Sequence, residues 1–285
     1  MERIAIITDS CGDVLPEYQK KYGIFVLPMV VQASDGEYKD GVTITAKEVY
    51  EKQKTEVLKT ASPTGADICD MFEKVKEEGY THAIVVTLAT GLSGTCNQVK
   101  LIASMEEDLE IYVMDSKSGS IGYGAIAVLL AKYRDAGHSF NELVKMGEKL
   151  VLDSYVYFSI DTLEHLEKGG RIGKAAALVG GLLNIKPILS FDKEQGEIFV
   201  PAKVRGRKGL QLKLMELVET HIAEQPERKY WLVVADGDLP EEHTELEEKL
   251  KERYPDCQGM LHAEIGGALS TYLGAGLLGA GVIFE

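Results

Sequence analysis

The first half of the chain alternates short apolar runs with amphipathic stretches. Arg3–Thr8, Phe25–Gln32, Ala83–Leu88 and Ile111–Met114 are brief runs rich in Ile and Val, the signature of buried strands. Helical spacing of apolar residues runs over Ala46–Lys54, Gly65–Glu78, Asn97–Met105 and Gly122–Ala136. Such alternation predicts a parallel sheet covered on both faces. Right-handed crossovers bring the carboxyl ends of its strands to one edge.

The pattern changes near Ser154. Val156–Ile160 reads as a strand, and the nearly all-apolar Ala175–Leu183 as a helix. Pro187–Phe191 and Glu197–Val204 flank Lys193–Gly196 as a hairpin. A helix over Lys208–Ala223, a strand over Tyr230–Ala235 and a charged helix over Glu241–Arg253 follow, then strands over Met260–Ile265 and Val282–Phe284. The expected architecture is α/β with two domains. Residues 1–154 form a parallel-sheet domain and residues 155–285 a mixed-sheet domain.

Composition narrows the function. Of 285 residues 45% are hydrophobic, enough for a large core. The net charge of −14 repels phosphate backbones and anionic bilayers, which argues against nucleic acid as a partner. The apolar stretch Ala268–Phe284 is too interrupted by Ser270, Thr271, Tyr272 and glycines to insert stably in a membrane. Met1–Ser10 lacks the basic and apolar regions of a signal peptide, so a cytoplasmic location is expected. Cys11, Cys69, Cys96 and Cys257 form no Cys-x-x-Cys pair, and no histidine-rich segment accompanies them. Neither a metal nor a cofactor is expected.

Polar residues gather where the predicted strands end. Thr8-Asp9-Ser10, Thr90-Gly91-Leu92-Ser93-Gly94-Thr95 and Asp115-Ser116-Lys117-Ser118 follow three of the runs, and Thr60-Ala61-Ser62-Pro63-Thr64 precedes a helix. Each suits helix capping, and together they suit a shared anion site at the sheet edge. Gly91-Leu92-Ser93-Gly94-Thr95 nearly matches a nucleophile elbow, with Thr95 in place of the last glycine. Only His165 and His262 stand where a base for Ser93 could come from. Gly274-Ala275-Gly276-Leu277-Leu278-Gly279 has dinucleotide-loop spacing but no room for the βαβ unit, so its glycines point to close backbone approach or special dihedrals. Lys168–Lys174 fails the phosphate-loop spacing. Lys203, Arg205, Arg207 and Lys208 form a basic patch, either solvated or a dock for an acidic partner.

Taken in order, these motifs resemble the DegV family of bacterial fatty-acid-binding proteins, over nearly the whole chain. The resemblance rests on Thr8-Asp9-Ser10, Thr60–Thr64, Leu92–Thr95, Asp115-Ser116 with Gly122-Tyr123-Gly124, Leu166–Ile172, Ile185–Leu189, Arg205–Lys208 and Gly274-Ala275-Gly276. It implies one long-chain fatty acid, such as palmitate, held between two α/β domains and presented to a separate fatty acid kinase. By motif match Thr60, Ser93 and Ser62 would bind the carboxylate. Tyr272 stands where the family carries histidine, and Ala275 where it carries proline. A phenol keeps the donor role but supplies no imidazole. Ala61-Ser62 replaces the family's Ser-Gln. Leu182, Leu183 and Ile185 are the expected tail wall, and Arg171, Arg205 and Arg207 the expected docking residues. The reading is of a carrier without catalysis of its own. Its alternatives are an acyl hydrolase using Ser93 and a lipid-responsive interaction module.

Overall fold

The computed structural model describes residues 2–178, 185–207 and 209–285. The N-terminal half runs β1 (Ile4–Asp9), α1 (Pro16–Tyr22), β2 (Ile24–Leu27), β3 (Val30–Ala33), β4 (Gly36–Lys39), α2 (Ala46–Gln53) and β5 (Lys59–Ala61). It continues through α3 (Gly65–Glu77), β6 (His82–Thr87), α4 (Thr95–Ala103), β7 (Glu110–Asp115), α5 (Ile121–Asp135) and α6 (Phe140–Leu152). The C-terminal half runs β8 (Ser154–Ser159), α7 (Glu164–Lys168), β9 (Ile185–Phe191), β10 (Ile198–Arg205), α8 (Leu210–Glu224), β11 (Tyr230–Gly237), α9 (Pro240–Arg253), β12 (Met260–Glu264), α10 (Gly267–Leu273) and β13 (Leu277–Phe284).

The fold is α/β, with a parallel sheet in the first half and a mixed sheet in the second. The parallel sheet has order β2-β1-β6-β7. Its central strands are apolar throughout because α3 and α4 cover one face and α5 the other: Ile7 and Val85 pack with Ile68 and Val99, Ile6 and Ile84 with Ile126 and Leu130. The six-stranded sheet has order β10-β9-β8-β13-β11-β12, antiparallel except for β11 beside β12. The expected hairpin is β9 with β10. A third, small sheet of order β4-β3-β5 carries the Thr60 turn.

Two expectations change and a third is met. The run Phe25–Gln32 is two strands in two sheets, because Pro28 cannot donate to a ladder and splits it between β2 and β3. Ala175–Leu183 is not the expected α-helix where it is described. It opens as a 3-10 segment over Gly173–Leu178, set by Gly173 at φ +54, where a Cβ would lie 2.5 Å from the Ile198 carbonyl oxygen. Leu182 and Leu183 lie outside the described residues. The Gly-x-Gly-x-x-Gly run is no nucleotide loop. Gly274 and Gly276 have φ of +65 and +91, and a Cβ on Gly276 would sit 2.3 Å from Asp161 Oδ2.

The end of β1 is held by a buried carboxylate. Asp9 Oδ1 accepts from the Tyr123 hydroxyl at 2.6 Å and the Cys11 N–H at 3.0 Å, and Oδ2 from the Leu88 N–H at 2.8 Å. Asp13 and Asp40 lie nearby, the first held by Ser120 and the Gly266 N–H, the second by Ser10. Burial pushes the Asp9 carboxyl up to about 6, against the pull of Tyr123, Leu88 and Cys11, and the charge of Asp40 adds to the rise. Burial also raises Asp13 and Asp40.

A carboxyl raised in the folded state binds its proton more tightly there than in the unfolded chain. Its stabilising contribution is therefore complete below about pH 4 and lost as pH rises through about 6. His221 and His262, pushed down by burial, act oppositely as pH falls through their range. Comparison with Asp9→Asn cancels them. Urea unfolding should show wild type gaining about 2 kcal/mol more than Asp9→Asn between pH 7 and pH 4.5. An equal pH response in the two proteins would refute the assignment.

Candidate functional site

In the parallel sheet the strand order reverses between β1 and β6. That crevice, beyond the strand carboxyl ends, is where open α/β sheets take ligands. A cavity of about 300 Å³ begins there, next to Cys11, Leu88 and Ser93, and runs to one face of the six-stranded sheet. This volume is at the lower end of the roughly 300–1,000 Å³ typical of small-molecule pockets. Its long wall is apolar: Val156 and Phe158 from β8, Phe191 from β9, Ile198 from β10, Leu277 from β13, and Leu269 and Leu273 from α10. Phe158 and Phe191 stack with centroids 5.4 Å apart.

Polar atoms collect at one end in two groups. In the first, Thr95 Oγ1 donates to Ser62 Oγ at 2.8 Å, and Ser93 Oγ lies 2.8 Å from Thr95 Oγ1. The Thr95 N–H also points to Ser93 Oγ, at 3.2 Å. Since the Thr95 proton is spent on Ser62, Ser93 must donate to Thr95, and the Ser62 proton is left over. Rotating three hydroxyls reverses the chain and frees the Ser93 proton instead. In the second group Thr60 Oγ1 and the Tyr272 hydroxyl are 2.9 Å apart, and one proton of that pair is also unspent. Each group thus offers one O–H to the cavity.

Local structure explains the placement. Thr64 closes the Thr60–Thr64 turn by capping α3 in a capping box with Asp67, which leaves Thr60 and Ser62 to face the cavity. Ser93 and Gly94 lie at the start of α4, whose N-cap Gly94 carries no side chain; Ser93 Oγ takes the first N–H, and both residues line the same space beside the helix's positive end. Tyr272 lies on α10 and packs on Gly169, where a Cβ would fall 2.3 Å from its ring. Arg171 lies 5.2 Å from the centre of the Tyr272 ring and donates to the carbonyls of Gly169 at 2.6 Å and Leu92 at 3.4 Å. It is an exposed cation at the cavity's polar end.

The structure therefore brings Thr60, Ser62, Ser93, Tyr272 and Arg171 together. Ile185 is placed elsewhere: it opens β9 opposite Arg205 and is not among the lining residues, because the cavity meets this strand at its other end, at Phe191. Arg205 is exposed at the end of β10. Arg207 is engaged by Asp161 at 2.8 Å and Glu242 at 3.0 Å, which neutralises that member of the basic patch, and Lys208 lies outside the described residues. Asp9 and Asp115 themselves serve the fold, Asp9 tying β1 to its neighbours and Asp115 accepting from Thr90 and Lys117, while Cys11 and Gly119–Ile121 that follow them line the cavity.

Sequence reasoning missed Thr95, which is fully buried and is the hub of the first hydroxyl group. In the sequence it stands only as a member of the polar Thr90–Thr95 run and as the residue that spoils the nucleophile elbow. No histidine is among the described residues lining the cavity. His165 borders a separate small recess with Gly169 and Tyr272, and His262 faces His243. Ser93 donates to a hydroxyl, not to an imidazole.

Fold and site define an α/β protein with an apolar cavity closed at one end by neutral hydroxyls and one cation. The sequence model described as uncharacterised protein, DegV family, matches residues 3–285, and the chain belongs to that family. A DegV domain-containing protein of Clostridium acetobutylicum is 39% identical over 285 residues, covering all of both chains. A DegV family protein from Thermus thermophilus, described for its fatty acid binding, superposes with a TM-score of 0.91 at 25% identity, covering 99% of this chain and 100% of its own. A stearic-acid-binding protein from Eubacterium ventriosum gives 0.89 at 25% identity, covering 99% and 98%. Among the described residues no helix is long and apolar enough to cross a membrane.

The Thr95 hub makes a direct prediction. Thr95→Val keeps the shape but strands Ser62 and Ser93, and should lower unfolding stability by about 1–3 kcal/mol, whereas Thr95→Ser should lose much less. Equal losses in denaturant melts of the two variants would show that the methyl, not the hydroxyl, matters there.

Proposed function

We propose that the protein binds a long-chain fatty acid, tail along the apolar wall and carboxylate at the hydroxyl end. The observation that carries this reading is the segregation of the cavity. One end holds Ser62, Ser93, Thr60 and Tyr272 with Arg171 beside them, and the rest is mainly aliphatic and aromatic, apart from glycines, the Cys11 thiol and Ser120, whose hydroxyl is spent on Asp13. Fatty acid binding by two relatives of the same fold supports it. A carboxylate taken out of water must meet donors, and the two free O–H groups with the α4 amino end supply them. Each hydrogen bond to a charged head group contributes roughly 1.5–3 kcal/mol, and each buried methylene about 0.8 kcal/mol. A tail held by Val156, Phe158, Phe191 and Leu277 thus outweighs the head in gross affinity, while the head fixes direction.

In this reading residues up to about 154 form the domain that holds the head group, and the remainder forms the domain that covers the tail. The acid is carried and presented, not transformed, and a fatty acid kinase is the partner that would act on the exposed carboxylate end. Arg171 is the docking residue this arrangement supports best, since it is exposed beside the head-group hydroxyls. Arg205 and Arg207 lie further off, and Arg207 is already paired.

Protein purified from a bacterial host should release one equivalent of long-chain fatty acid on denaturation, read by mass spectrometry. Ser93→Ala and Thr60→Val should each weaken uptake of labelled palmitate by roughly 10- to 100-fold. A protein that carries no acid and takes up no palmitate would overturn the proposal. Turnover of an acyl ester, abolished by Ser93→Ala, would replace it with a hydrolase.

A further inference from the structure

Away from the cavity, the crevice between α9 and the edge strand β12 gathers two imidazoles and a carboxylate. His243 and Glu247 stand one turn apart on α9, and His262 faces them from β12. One ligand atom from each lies within 4.8 Å of the other two. His243 Nε2 is 3.3 Å from His262 Nδ1, and a Glu247 oxygen is 3.7 Å from His262 Nε2. Two nitrogens sharing a tetrahedral ion at 2.0–2.1 Å are about 3.3 Å apart, so these rings already stand at the spacing of co-ligands.

A second observation points the same way. Asp236, at the end of β11 and buried, accepts from His243 Nδ1 at 2.7 Å and also holds the Leu239 N–H at 2.8 Å. The proton of His243 is thereby fixed on Nδ1, and the bare Nε2 lone pair is turned toward His262. A carboxylate behind an imidazole is the arrangement that orients metal-bound histidines and raises their basicity. The opposing feature is Lys251, ion-paired with Glu247. That pair is exposed on the lysine side and is displaced at little cost.

We propose that His243, Glu247 and His262 bind one divalent transition-metal ion of the Zn²⁺ class, with Asp236 as the positioning residue. Two imidazoles and a carboxylate select Zn²⁺ and its neighbours over Mg²⁺ or Ca²⁺, and three protein ligands leave room for water. The ion would pin α9 to the outermost strand of the six-stranded sheet. None of the three ligands lines the cavity, so the site is independent of fatty acid binding.

The test uses the full-length protein, stripped with a chelator and titrated with Co²⁺ and Zn²⁺. One equivalent of Co²⁺ should bind with visible d–d bands and no thiolate charge-transfer band, and Zn²⁺ should displace it. Zn²⁺ should also raise the melting temperature of wild type. His262→Ala and Glu247→Gln should each lose the Co²⁺ bands, and Asp236→Asn should weaken binding by about 10- to 100-fold. Lys251→Gln, which frees Glu247, should tighten it. Metal-free melting curves and bound acid should match wild type in His262→Ala. Failure of wild type to bind one equivalent, or retention of the Co²⁺ bands in His262→Ala, would overturn the proposal, and thiolate bands would move the ion to a cysteine.

Discussion

The structure turns on the burial of Asp9 at the point where the parallel sheet reverses its strand order. A carboxylate there is costly unless donors surround it, and three do: the Leu88 N–H after β6, the Cys11 N–H after β1 and the Tyr123 hydroxyl on α5. One side chain therefore fixes the exits of both central strands and the first turn of the long buried helix. Gly12 and Gly124 complete the contact, since a Cβ at Gly124 would lie 1.9 Å from the Gly12 carbonyl oxygen. With those exits fixed, the chain leaving β6 delivers Ser93 and the start of α4 to the crevice. Without that anchor, no local preference of Leu92-Ser93-Gly94 would place a hydroxyl there.

The cavity follows from two sheets with different coverage. The parallel sheet is buried on both faces and can offer a ligand only its strand ends, which are polar. The mixed sheet has α8 and α9 against one face, where Leu214, Val218 and Leu246 pack. Its other face turns Val156, Phe158 and Leu277 toward the first half. Strand ends against a sheet face give one polar pole and one apolar wall.

Much of this is legible in the sequence, and the failures have physical causes. Polar runs at strand ends and helix starts bring out the segments that hold Thr60, Ser62 and Ser93, although capping alone would explain each, and it is the resemblance to the family's motifs that singles out those three. Thr95 escapes because its role depends on Ser62, which is distant in the chain. The helix α6 was passed over although Ser139 and Glu142 form a capping box ahead of it. Pro28 splits a run that composition alone reads as continuous. The apolar cavity wall is less legible: Leu182 and Leu183 lie outside the described residues, and the wall residues that are described, such as Val156 and Phe158, sit on strands whose apolar runs read equally well as plain core. His243, Glu247 and His262 are invisible for a related reason, since helix and strand bring them together across intervening chain.

The choice of hydroxyls over cations at the polar pole is itself informative. A buried lysine or arginine would bind a carboxylate strongly but would be stranded whenever the cavity emptied, at a cost of several kcal/mol. Here the nearest cation, Arg171, stays exposed, held by the Gly169 and Leu92 carbonyls and the Tyr272 ring. The hydroxyls there, half-buried except for the buried Thr95, are neutral and bond to one another: Ser93 through Thr95 to Ser62, and Thr60 with Tyr272. In the proposed reading, arrival of an anion would need only the rotation of hydroxyls, and departure would reverse it. Neither state leaves a charge unpaired. A nucleophile needs the reverse, a proton drawn off by a base, and Ser93 is wired to pass its proton along a row of hydroxyls that cannot keep it.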